Sequence, residues 1–306
     1  MRHVTLKQLR ALAAVMRSGS FAGAAEALHL TPPAVTVQMR QLEEAAGLPL
    51  VERLADGLRL TEAGREVLAT VERIELALAD CTRALEALRS AGRGVVSVGV
   101  ISTAKYYAPR ALADFLKAHP GLELKLTIGN RGEIIAALKE GAVDVAIMGR
   151  PPDELEVELS EIGPHPHVVI APPDHPLAAA RDLAPEALAD ETFLLRESGS
   201  GTRILMERFF AGHGLQPRVG LEMGSNETIK QAVMAGLGIA FISAHTIAAE
   251  IGDGRLVVLD VRGLPILRAW YVVQLRHRRL LPAPSALAAF LREHGQGYLP
   301  APPRPT

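Results

Sequence analysis

The chain has 306 residues, 48% of them hydrophobic, and a formal net charge of −1. That length suits two or three domains with cores of their own, and the near-zero charge excludes a protein that binds polyanions over its whole surface. A single cysteine, Cys81, excludes an intrachain disulfide and suits a reducing compartment. The start, M-R-H-V-T-L-K-Q-L-R, lacks the apolar core of a signal peptide, and no run approaches the ~20 apolar residues of a membrane span. A cytoplasmic protein with no membrane partner is expected.

From Ser18 to Arg65 the pattern predicts a helix-turn-helix with a wing. An Ala-rich helix over Ser20–Leu28 can pack close to a neighbour, and His29-Leu30 supplies the turn. Thr31 then caps a second helix, with Pro32 at its first position and Val35, Met39 and Leu42 at helical spacing. A helix fixed in this way presents its first turns to the DNA major groove. The candidates for DNA contact are Ser20, Thr31, Pro32, Pro33, Ala34, Thr36, Val37, Gln38 and Arg40. Gln38 can pair bidentately with adenine and Arg40 with guanine or phosphate, and the methyl groups of Ala34, Thr36 and Val37 suit thymine. Asp56-Gly57 lies between two short runs and signals a hairpin, with Arg53 and Arg59 placed to meet phosphates. Over residues 1–42, Arg2, Lys7, Arg10, Arg17 and Arg40 stand against Glu26 alone, so positive charge gathers where DNA is expected.

This segment resembles the N-terminal domain of the LysR-type transcriptional regulators. The shared pattern falls on Thr31, Pro33, Ala34, Val35, Thr36, Gln38, Met39, Leu42 and Glu43, then Leu60, Thr61, Ala63 and Gly64. The chain departs from it at Pro32, Val37 and Val51, where that family often carries Gln, a basic residue and Phe. The first two changes remove polar side chains near the bases.

Residues 61–91 read as one long helix with apolar positions at Val67, Val71, Ile74, Leu78, Cys81, Leu85 and Leu88. Steps of four and three alternate, which is a heptad seam, and the positions between are rich in Glu, Arg and Asp. Self-association through this helix is expected, and a homodimer pairs two reading helices with an inverted repeat. Residues 92–94 supply a hinge.

Beyond it strands alternate with helices, which predicts an α/β domain with parallel sheets and helices on both faces. A break at Gly163-Pro164-His165-Pro166 divides it into lobe I (95–164 and 266–299) and lobe II (165–265), followed by a disordered proline-rich tail at 300–306. The arrangement resembles the two-lobed, periplasmic-binding-protein-like effector domain of the same family. Loops at the strand ends precede helices and carry Gly, Ser and Thr. The candidate effector residues are Ser102, Thr103, Ala104 and Lys105; Asn130 and Arg131; Arg150; Glu197, Ser198, Ser200, Thr202 and Arg203; Ser225 and Asn226. Open amides at helix starts attract anions, and Lys105, Arg150 and Arg203 add charge, so a small carboxylate or phosphate is expected in the cleft. Such an effector shifts the assembly only through a difference in affinity between two arrangements of the lobes.

The runs from Val100, Ala146, His165, Glu197 and Gly224 look like the CbbR subfamily, regulators of Calvin-cycle carbon-fixation operons. The resemblance implies a homotetramer, contact with RNA polymerase, and a phosphorylated metabolite or nicotinamide nucleotide as effector, with no bound cofactor. The rivals are a LysR-type regulator of another operon with a carboxylate effector or none, and an anion-binding enzyme with an accessory DNA-binding head. His165, His167, His175 and Asp174 lack cysteine support for a metal site. Ser200 lacks the G-x-S-x-G elbow and a partnered base. Neither a metal nor catalysis is expected.

Overall fold

The computed structural model of the chain describes residues 1, 3–54, 57–89, 94–153 and 155–301. The chain divides into two compact units, residues 1–82 and 83–306. In the first, α1 (Leu6–Ser18), α2 (Phe21–Leu28) and α3 (Pro32–Ala46) precede a hairpin of β1 (Val51–Leu54) and β2 (Gly57–Leu60), and most of α4 (Glu62–Arg89), up to residue 82, follows. Each of the first three helices starts on a side-chain oxygen that accepts from an open amide. Thr5 takes Gln8, Ser20 takes Gly23 and Thr31 takes Ala34. Each also stops on a left-handed residue: Gly19, His29 and Gly47. Ala24 and Ala25 are buried, so α2 packs tightly into a core with Leu12, Val35, Leu42 and Leu50.

Three residues of the LysR pattern join α3 to α4. Glu43 Oε1 accepts from the Leu50 amide at 2.8 Å. The Thr61 hydroxyl donates to the Pro49 carbonyl and accepts from the Gly64 amide. A Cβ on Gly64 would stand 1.9 Å from the Leu50 carbonyl oxygen, so the backbones can pass here only with glycine.

Two expectations for this unit change. The wing ladder closes with Leu54 opposite Gly57, so Gly57 belongs to β2; residues 55–56 lie outside the described residues. The heptad stripe of α4 also divides in two. Val67, Val71 and Ile74 pack into the head's own core, because α4 covers α1, where Arg10 holds Glu75 through two hydrogen bonds. Leu78 and Leu85 are 43% and 54% exposed, and Cys81 is exposed as well. The side chain of Leu88 and residues 92–93 of the expected hinge lie outside the described residues.

In the second unit, β3 (Val95–Ile101), α5 (Ala108–Ala118), β4 (Glu123–Gly129), α6 (Arg131–Lys139) and β5 (Val145–Met148) form a parallel β4-β3-β5 layer. The long strand β6 (Val157–Ala171) follows. Then come β7 (Thr192–Arg196), α7 (Gly201–Gly212), β8 (Arg218–Met223), α8 (Asn226–Met234), β9 (Ala240–Ser243), α9 (Ala248–Gly252) and β10 (Val257–Val258). The return strand β11 (Ile266–Leu275) and α10 (Pro282–His294) complete the unit. β11 lies antiparallel between β5 and β6, the far end of β6 carries β9 and β10, and β7 pairs in parallel with β8.

The boundary expected at residues 163–166 falls where the chain passes from one lobe to the other, but without a break in strand pairing, and the sheet is mixed and not parallel throughout. The segment is the middle of β6, paired throughout with β11. Pro164 and Pro166 are two apart, so their missing N–H groups fall on one side of the strand. That side faces away from β11, and β9 begins to pair only at His167. The lobes are joined by this antiparallel pair, with a bulge opposite Trp270 and Tyr271. Of the expected tail, residues 302–306 lie outside the described residues. No described helix is long and apolar enough to cross a membrane.

Candidate effector cleft and DNA-reading helix

A cavity of about 380 Å³ lies between the lobes of the second unit, at the carboxyl ends of β3, β4, β5 and β7. Five arginines line it, namely Arg131, Arg150, Arg196, Arg208 and Arg268, against one carboxylate, Asp153. Two helices of nine and twelve residues, α6 and α7, begin at its wall. Asn130 caps α6 through the Glu133 amide, whereas Ser200 makes no side-chain cap bond at the start of α7. The first amides of α7 therefore add to a positive field that suits an anion.

Arg196 organises the floor. It is 3% exposed at the end of β7. Its Nε and Nη2 hold Glu197 at 2.7 and 2.8 Å, Nη1 donates to Asn226 Oδ1 at 2.6 Å, and Nη2 reaches Ser102 Oγ at 3.0 Å. One side chain thus joins a loop of lobe I to two segments of lobe II. Arg150 pairs with Asp153, while Arg208 and Arg268 have no ion-pair partner among the described residues.

His165 and His167 also line the cavity, both on β6. His165 stacks on Trp270 with ring centroids 3.7 Å apart, and its Nε2 meets Ser243 Oγ at 2.9 Å. His167 Nδ1 meets the His165 carbonyl at 3.2 Å; a carbonyl only accepts, so the proton sits on Nδ1. Burial, followed by charge repulsion, holds His165 well below the usual imidazole value. Burial brings His167 down to about 3 and His245, which accepts from Trp270 Nε1, to about 4. All three are neutral near pH 7. No cluster among the described residues has the groups to hold a metal ion.

Of the expected effector residues, Ser102, Thr103, Asn130, Arg131, Arg150, Ser200 and Thr202 line the cavity. Ala104, Lys105, Glu197, Ser198, Arg203, Ser225 and Asn226 do not. Ala104 is packed into the core and Lys105 lies 5.3 Å from the Tyr106 ring centroid. Ser198 is exposed, and Ser225 is the N-cap residue of α8 without a cap bond. Glu197 and Asn226 serve the cleft through Arg196. Arg203 is the largest correction: it points along α7 and β8, bound to Glu207, Glu222 and the Arg196 carbonyl. Glu207 four residues on is the sequence signal for that ion pair. Sequence reading missed Arg196, Arg208, Arg268, His165 and His167; Arg196 was findable as the last residue of a strand that ends at the cleft.

In the head, Thr31, Pro32, Pro33, Thr36, Val37 and Arg40 are exposed on α3, and Ala34 and Gln38 are half-buried. Thr36 donates its hydroxyl to the Pro32 carbonyl, so that donor is already engaged within the helix. Arg40 pairs with Glu44 at 3.0 Å. Arg59 pairs across the wing with Glu52, and Arg53 is exposed on β1. Ser20 is occupied in capping α2. With Arg10 held by Glu75 as well, part of the head's positive excess is matched internally.

Residues 6–65 match the family described as "Bacterial regulatory helix-turn-helix protein, lysR family", and residues 89–296 match "LysR substrate binding domain". Over 303 residues the chain is 55% identical to the HTH-type transcriptional regulator CbbR of Xanthobacter flavus, covering 98% of this chain and 91% of that protein. It is 47% identical over 289 residues to the RuBisCO operon transcriptional regulator of Allochromatium vinosum, covering 94% and 96% respectively. It is also similar to the solved CcmR regulatory domain of Synechocystis PCC6803 in complex with 2-PG, with a TM-score of 0.63 and 38% identity over 65% of this chain and 96% of that one. Matched at both ends and along nearly its full length, the chain belongs to the LysR family of bacterial DNA-binding transcriptional regulators and is not an enzyme.

Proposed function

We propose that this regulator controls Calvin-cycle and RuBisCO genes from the cytoplasm in response to a small anionic metabolite held in the cleft. Relatives named for CbbR and for the RuBisCO operon support the target. The observation that carries the effector class is the set of five arginines against one aspartate around a 380 Å³ cavity. That volume is near the lower end for ligand sites, which favours a phosphorylated metabolite over a nicotinamide nucleotide. The CcmR domain bound to 2-PG supports the same choice. No bound cofactor takes part.

Two copies pair through the exposed Leu78, Cys81 and Leu85 stretch of α4, and pairs assemble into a homotetramer on an inverted-repeat operator. The effector changes how the heads are held on DNA and so how RNA polymerase is engaged. Calorimetric titration of the full chain with 2-PG, a sugar bisphosphate, NADPH, inorganic phosphate, an unphosphorylated dicarboxylate and a neutral sugar tests the effector class. The phosphorylated carbon compounds should bind and the neutral sugar should not. Tighter binding of an unphosphorylated carboxylate than of any phosphate overturns the reading in favour of another metabolic operon.

A further inference from the structure

A second polar junction between the lobes lies outside the cavity. Tyr106, in the short 3-10 turn Ala104–Tyr106 after β3, belongs to lobe I; its hydroxyl donates to Glu227 Oε1 at the start of α8 in lobe II, at 2.5 Å. The Lys230 ammonium stands 4.8 Å from the Tyr106 ring centroid. Lys230 is 2% exposed; its ammonium donates to Glu250 at 2.8 Å and to the Thr246 carbonyl at 3.0 Å, and it stands 3.0 Å from Glu227 as an ion pair. None of these residues lines the cavity.

The chemistry of the cluster explains why Tyr106 is needed. One ammonium faces two carboxylates, and Glu250 Oε2 is already buried without a partner. Glu227 is the more exposed carboxylate, and the phenol supplies it with a second donor. Burial, followed by the bond to Glu227, pushes the Tyr106 phenol well above its ordinary value, so it remains a donor. The ring of the same tyrosine covers the ammonium, a contact that strengthens when the cation is desolvated. Separating the lobes here removes both contacts at once.

We propose that Tyr106 and Glu227 form an interlobe latch, braced by Lys230 and Glu250, that sets the resting separation of the lobes and makes both residues positioning residues for the effector response. The latch acts from outside the cavity, while Arg196 joins Ser102 to lobe II on its floor. This inference rests on the cleft reading for its consequence, not for its first test.

The test uses the full chain with Cys81→Ser and spin labels at Lys139 on α6 and Ala211 on α7, both exposed, and measures the distance between them with no small molecule present. Tyr106→Phe removes one oxygen and keeps the ring, and Glu227→Gln is the second variant. The expected result is a longer, broader distance distribution in both, with the far-UV signal of the parent. The shift in the ratio of open to closed lobes should be about ten- to a hundred-fold, the size of one hydrogen bond to a charged group. In the same samples, 2-PG should bind more weakly to both variants by a similar factor. Unchanged distributions in both variants overturn the latch. Altered distributions with no binding of 2-PG or a sugar bisphosphate to any form leave the latch standing and count against the effector reading alone.

Discussion

In the head, Thr31, Pro32 and Gly47 bound the reading helix by rules that act within one or two turns, and its outward residues follow from helical spacing. In the effector unit, Arg196 becomes a cleft residue only because β7, the start of α8 and the loop after β3 converge on it from 30 and 94 positions away in the chain. The two units therefore teach different lessons about which changes they tolerate. The head depends on a few close local approaches, and the effector unit depends on buried polar groups gathered from distant segments.

The largest expected effect separates the units outright. Gly64→Ala places a methyl group 1.9 Å from the Leu50 carbonyl oxygen, and neither backbone can yield without opening the α3–α4 junction. A loss of about 3 kcal/mol or more is expected in the head. Hydrogen exchange should show lost protection in α1–α3 with β3–β11 unchanged, and operator binding should fail. Equal loss of protection in both units would mean that the head is not an independent unit.

Acid should act the other way round. His165, His167 and His245 are buried and neutral in the effector unit, whereas His3 and His29 of the head are exposed. Once unfolded, these histidines take up a proton near 6.5; folded His167 and His245 do so only at about 3 and 4. Stability is therefore complete above pH 6.5 and falls as the pH drops below it, by about 1.4 kcal/mol per pH unit for each such histidine. Urea unfolding followed separately for the two units between pH 7.5 and 5.5 checks this. A flat profile for the effector unit would contradict the buried neutral cluster.

Smaller effects sharpen the contrast within each unit. Gln38→Ala should cost about 1 to 3 kcal/mol on the operator and little on random DNA; equal losses on both would assign Gln38 to the phosphates. Arg203→Ala breaks partly exposed ion pairs, costs about 1 kcal/mol or less, and should leave the calorimetric affinity for 2-PG unchanged. A lost response there would return Arg203 to the cleft.

Much of the head was legible because caps, Pro32 and the apolar spacing are local statements. The close approach at Gly64 was visible only as a family pattern. In the effector unit the strand-end loops were readable, yet half of the chosen residues fall outside the cavity. Proximity in sequence to a helix start does not fix where a side chain points. Glu207 and Glu222 draw Arg203 away, while Arg196, unremarked at the end of an apolar strand, turns inward to Asn226 and Ser102. Pro164 and Pro166 read as a break because a proline normally interrupts a ladder. β6 tolerates them because one of its sides has no partner until His167. The stripe on α4 looked continuous because the apolar spacing is the same where Val67, Val71 and Ile74 pack into the head and where Leu78 and Leu85 stand exposed.

The central claim is that an anion in the arginine-lined cleft changes how the full chain is held on DNA. Its most direct test is footprinting of the full chain on a carbon-fixation operator with increasing 2-PG or sugar bisphosphate, for the wild type and for Arg268→Ala. The account predicts a change of footprint in the wild type and the same change at about ten-fold higher concentration or more in the variant. An identical footprint at every concentration, or the same response in both proteins, would contradict it.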